Sequence, residues 1–144
     1  MFSMYLCVSK KMSSSEEVFK NKFMQFLLVF IGGGLGSICR FGIAKLAAPY
    51  EPTFPYATLT ANILSCILLG FLIQLSFRNQ VSDTYKWFIM TGFCGGFSTF
   101  STFSGESFQL FQNGQVLLAL LNIFGSIVIC LFAIWVGVLL VRFF

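Results

Sequence analysis

The stretch GFCGGFSTFSTFSGE, Gly92–Glu106, decides how this chain folds. It falls where a membrane crossing is due, yet it carries glycines at Gly92, Gly95, Gly96 and Gly105, several Ser and Thr hydroxyls, and phenylalanines at Phe97, Phe100 and Phe103, spaced three apart. Backbone inside a bilayer leaves the helix only where protein or water satisfies its polar groups, so a break at Gly95-Gly96 implies a buried junction or a cavity. At such a break, freed carbonyls can coordinate a cation, while freed N–H groups and the positive end of a half-helix favour an anion. Phe100 and Phe103, at i and i+3, present neighbouring rings on one face. The edge of an aromatic ring is electropositive, so rings turned edge-on can line an anion's path without a charge that would trap it. Ser101 and Thr102, between the rings, add hydroxyl donors. The chain has 20 phenylalanines, and most must simply pack. The combination of break, ring spacing and hydroxyls points to a dehydrating pore for a small anion.

Composition supports the membrane setting. Of 144 residues, 57% are apolar and 10% charged, with a mean hydropathy of +0.86, too much apolar surface for one soluble core. The five cysteines form no CxxC pair and His is absent, which argues against a zinc site, haem attachment or a disulfide framework. Half of the net charge of +4 lies near the start, at Lys10, Lys11, Lys20 and Lys22 against Glu16 and Glu17, and reads as topology information rather than nucleic-acid binding. Residues 1–22 are expected to be a polar cytoplasmic tail. Their apolar part precedes the charges, the wrong order for a secretory signal. Met12 and Met24 are alternative starts.

Charge-free runs predict an all-α membrane domain over residues 23–144 with four crossings, at about 23–46, 54–77, 85–110 and 114–142. The clusters APYEPTFP, RNQVSDTYK and QNGQ separate them. With four crossings, the tail, second loop and C-terminus share a side holding Lys10, Lys11, Lys20, Lys22, Arg78, Lys86 and Arg142, against Arg40 and Lys45 on the other. Without the tail the tally is three against two, the weak bias a protein inserting both ways round would need. An N-in preference set by the tail is the competing reading.

Within the crossings, Thr58 and Asn62 share a helix face. Asn122, Ser126 and Cys130 form an i, i+4, i+8 line that fits either a polar track or, beside Gly125, a packing seam. Arg40 and Glu106 are ionisable groups near membrane depth, to be read as functional or as snorkelling to the interface. Gly32, Gly33, Gly34 and Gly36 lack a following GK[ST], so close helix packing is the better reading than a phosphate loop.

From about Gly32 onward the sequence resembles the CrcB, or Fluc, family of fluoride channels, on GGGLGSICRFG, PYATLTANILSCILLGF and GFCGGFSTFSTFSGE, in order and in the right crossings. The resemblance implies an antiparallel dual-topology dimer in the inner (plasma) membrane. Each subunit would have four helices, the third broken at its middle, and two fluoride pathways would be built from both subunits. It implies a structural Na+ at the dimer centre on the carbonyls of Gly95 and Ser98, and pore-lining roles for Phe100 and Phe103. Asn62, with Thr58 close by, would hold the pore side of the second helix. Asn122, Ser126 and Cys130 fall on its fourth-helix track, and Arg40 and Glu106 match its basic and acidic positions. Ala57 stands where the family often has Gly, and Ser98 where Thr is common. The basic tail is atypical, so an oppositely oriented paralogue is an alternative partner to a second copy.

The expected function is passive fluoride export, with fluoride, membrane lipid and a second subunit as partners and no nucleic acid. There is no ATP motif or proton-relay chain to support pumping. A four-span multidrug-type transporter would need a membrane-embedded carboxylate, and the first three crossings have none before Glu106. A noncatalytic scaffold would leave ring spacing and polar track without a shared reason. Without His or a clustered nucleophile and base, enzymatic activity is not expected.

Overall fold

The computed structural model describes residues 2–50 and 54–143, with side chains for 19–49 and 54–143. The side chains of the tail as far as residue 18, including Lys10 and Lys11, and the loop residues 51–53 lie outside the described residues. Helix α1 runs Phe2–Ala47 and passes into a 3-10 turn, Ala48–Tyr50; α2 is Tyr56–Phe77. A short α3, Asp83–Tyr85, continues as a π-helical stretch, Lys86–Cys94, and then as α4, Gly95–Phe97. Helix α5 is Phe100–Gln112, and α6, Val116–Leu140, ends in a 3-10 turn, Val141–Phe143.

Three of these are long and apolar enough to cross a membrane: Phe19–Ala47, Tyr56–Phe77 and Val116–Phe143. Their outer faces carry exposed Phe26, Phe30, Leu117 and Phe132, surface that water would not tolerate and lipid accepts. This is a multi-pass all-α membrane protein.

Two seams hold the helices together. Along the first, α1 lies against the π-helical stretch and α4. A Cβ on Gly36 would run into the Phe93 carbonyl, and one on Gly96 into the Gly33 carbonyl, so the backbones touch. The second joins α2 to α6 in parallel. Gly70 abuts the Ile134 carbonyl, Gly137 fits between the Ile67 carbonyl and the Phe71 amide, and the Arg78 guanidinium donates to the Val141 carbonyl at 3.4 Å. A leucine at Gly137 has no room without parting the helices. We expect Gly137→Leu to destabilise the protein by about 1–3 kcal/mol or more, measured as a lowered unfolding midpoint in detergent.

The helical segment between α2 and α6 is interrupted, but not at Gly95-Gly96 as the glycines suggest. Both are helical, and Gly96 spends its missing side chain on contact with α1. The chain leaves the helix two residues later, where Ser98 (ψ 150°) and Thr99 (φ −148°, ψ 122°) are extended. The shift follows hydrogen-bond supply. A hydroxyl beside the break can replace a lost backbone bond, which glycine cannot do.

Candidate functional site

Thr99 caps α5: its Oγ1 accepts from the Thr102 amide at 3.5 Å. The Thr99 amide, which in a continuous helix would bond the Gly95 carbonyl, instead donates to Asn62 Oδ1 on α2 at 3.1 Å. Because that amide is a donor, the Asn62 atom facing it must be oxygen, which leaves the NH2 group as the donor end of the side chain. On the other side, the Cys94 carbonyl accepts from the Ser98 amide at 3.0 Å, and from Ser98 Oγ and Ser65 Oγ at 3.1 Å each. The Gly96 carbonyl accepts from Ser37 Oγ at 3.4 Å and Arg40 Nε at 3.5 Å.

The carbonyls of Gly95 and Ser98 are among those at the break whose helical donors have been diverted. The Thr99 amide has gone to Asn62 and the Thr102 amide to Thr99 Oγ1. Two backbone oxygens with lone pairs to spare at one break are hard ligands of the kind a hard cation takes.

Arg40 reaches the break rather than snorkelling to the interface. Besides Gly96 it donates from Nη1 to Thr102 Oγ1 at 3.4 Å, so it bridges the two half-helices. Its charge sits at the carbonyl end of the first, where the helix dipole favours a cation. Removing the charge while keeping a donor isolates that contribution. Arg40→Gln is expected to cost about 1.5–3 kcal/mol of stability, read as a lowered thermal midpoint.

Asn62, Ser98, Phe100, Phe103, Ser126 and Cys130 come together around a cavity of about 230 Å³, joined by Cys66, Thr99 and Ile127. A second cavity, of about 360 Å³, shares Phe100, Phe103 and Ile127 with the first and extends along α5 past Ser104, Ser107, Phe108 and Phe111. The Phe100 and Phe103 ring centroids are 5.7 Å apart, with planes at 42°. The two cavities together make a track along α5 and α6 lined by rings, hydroxyls and an amide, with no charged side chain in its wall among the described residues.

The remaining predicted positions sit around this track. Asn122 is buried one turn from Ser126. It accepts from Ser126 Oγ at 3.3 Å and donates to Ser107 Oγ at 2.9 Å, and Ser107 in turn donates to the Phe103 carbonyl at 2.8 Å. On the α6 line, Asn122 and Ser126 are thus hydrogen-bonded, and Ser126 and Cys130 face the first cavity. Thr58 donates to Glu106 Oε1 at 2.6 Å, a pair outside the first cavity's lining. Ser101 and Thr102 do not line either cavity but gather at the Thr99 cap, Ser101 Oγ being 3.0 Å from Thr99 Oγ1.

Four residues of the site escaped the sequence reading. Cys66 carried a signal, since it continues the Thr58, Asn62 face by one more turn. Thr99, Ser107 and Ser65 did not, because their roles depend on partners 37, 15 and 29 residues away.

Residues 27–138 match the family model described as CrcB-like protein, Camphor Resistance (CrcB). Among similar proteins, one from Flavobacterium psychrophilum is 43% identical over 116 residues, covering 79% of this chain and 94% of its own. One from Pyrococcus furiosus is 45% identical over 116 residues, 80% and 94%. One from Chlorobium chlorochromatii is 40% identical over 123 residues, 85% and 95%. Each bears the name fluoride-specific ion channel FluC. With the family model spanning most of the chain and relatives this similar over nearly their whole length, the chain belongs to the CrcB-like family.

Proposed function

We propose that this protein is a fluoride-selective channel that lets cytoplasmic fluoride leave the cell passively through the plasma (inner) membrane. The single observation that carries the reading is the charge-free, ring-lined track running from Asn62 past Phe100 and Phe103. Such a wall replaces an ion's water with ring edges, hydroxyls and an amide donor and holds the ion weakly enough to release it. The names borne by the relatives supply the ion. The activity is transport, with no chemical step.

The working architecture is four crossings per chain in an antiparallel pair. Helix α5, 13 residues long, gives only about 20 Å of rise, short of a hydrocarbon core of about 30 Å. Residues 83–112 therefore complete a crossing as two half-helices. At the break the Gly95 backbone and the Ser101 hydroxyl are exposed on the chain's surface, and Phe100 is 80% exposed. Polar backbone at membrane depth needs a protein partner, which favours a second copy facing this break. The basic tail leaves an oppositely oriented paralogue as the other candidate. The Gly95 and Ser98 carbonyls, two from each chain of a two-fold pair, would hold Na+. Once bound, that ion supplies positive charge tying the two breaks together.

Vesicles carrying the protein and loaded with potassium fluoride should release fluoride when a potassium ionophore is added, and chloride-loaded vesicles should not. Equal release of chloride would remove the selectivity, and no release from correctly folded protein would remove the channel.

A further inference from the structure

Cys66 on α2 and Cys130 on α6 face each other across the wall of the first cavity. Gly70 abuts the Ile134 carbonyl, and the two cysteines lie one turn before those positions on parallel helices, so the same register brings them opposite. Both line the cavity. The other described cysteines differ. Cys94 is buried away from the lining, and Cys39 is exposed on α1.

We propose that Cys66 and Cys130 form a two-thiol site that binds a soft, two-coordinate cation such as Hg2+ and thereby closes the track. Thiolates select soft metals, and a linear two-coordinate ion needs no third ligand. Among the described residues, no group of three or more His, Cys, Asp or Glu side chains is placed to hold a metal ion. Binding breaks two S–H bonds, forms two S–Hg bonds and releases two protons to water; the metal's oxidation state does not change. The bound ion shares a cavity of about 230 Å³ with Asn62, Phe100 and Phe103, the groups past which an anion must move. The closing effect rests on the channel reading above, whereas the binding does not.

The test separates the two. The full chain in detergent receives one equivalent of mercuric chloride and then a short pulse of N-ethylmaleimide, and labelled cysteines are mapped by peptide mass. Cys66 and Cys130 should become protected together. Cys66→Ser and Cys130→Ser should each raise the Hg2+ concentration needed for half-protection of the remaining thiol by about 10²-fold, the loss expected when a second tethered ligand is removed. Cys39→Ser should not change it. Protection of one thiol without the other, or undiminished affinity in either serine variant, overturns the site. In vesicles the same Hg2+ concentrations should stop fluoride efflux. Joint protection with efflux undisturbed overturns the closing effect, and joint protection in a protein that never passes fluoride upholds the thiol site while removing the channel reading.

Discussion

Asn62→Asp cuts fluoride efflux about 10³-fold while the protein remains folded. The substitution is chosen because one of the residue's two tasks survives it. An aspartate oxygen still accepts from the Thr99 amide, the 3.1 Å bond that caps the break, so the half-helices keep their relation. The NH2 group of the cavity wall becomes a carboxylate oxygen. An anion passing at contact distance, about 4 Å, then meets a repulsion of about 4 kcal/mol at a protein-like effective dielectric, a factor of about 10³ in rate. Efflux from vesicles measures the loss, and an unaltered thermal midpoint shows that the fold is intact. Efflux at the original rate from a folded variant would mean that the path does not pass Asn62.

Phe100→Ile tests the rings by keeping apolar bulk and removing the aromatic edge. A ring-edge interaction contributes about 0.5–1.5 kcal/mol, so efflux is expected to fall by up to about tenfold. Phe103→Ile should act in the same direction, since both rings line both cavities and are in mutual contact at 5.7 Å. The measurement pairs efflux with oligomeric state by size exclusion, because Phe100 is also the exposed ring at the break. Unchanged efflux from an intact assembly would assign Phe100 to packing alone.

How much of this was legible in the sequence depends on the range of the physics involved. The helices are local matters. Charge-free runs placed crossings at about 54–77 and 114–142, where the structure has Tyr56–Phe77 and Val116–Phe143. The Phe100, Phe103 spacing and the Asn122, Ser126, Cys130 line follow from helical period; Phe100, Phe103, Ser126 and Cys130 line the cavities, whereas Asn122 is buried one turn away against Ser107. The break was misplaced because glycine was read as a helix breaker, its usual cost in isolation. Here Gly96 serves contact with α1, and a polar side chain 37 residues upstream decides where the helix ends. Arg40 gave a similar lesson: a lone arginine at a helix end reads as an interfacial anchor until the Gly96 carbonyl is seen across the seam. Cys66 lies one turn beyond Asn62 on the same α2 face, within reach of simple periodicity.

Besides the local Ser98 and Thr99 bonds, the interruption draws partners from α1 and α2: Ser37 and Arg40 for Gly96, Ser65 for Cys94, and Asn62 for Thr99. Without them residues 83–112 would expose raw peptide groups to hydrocarbon at several kcal/mol each, and an uninterrupted helix would be the cheaper state. Synthesis runs from the N-terminus, so those partners leave the ribosome before the segment that needs them.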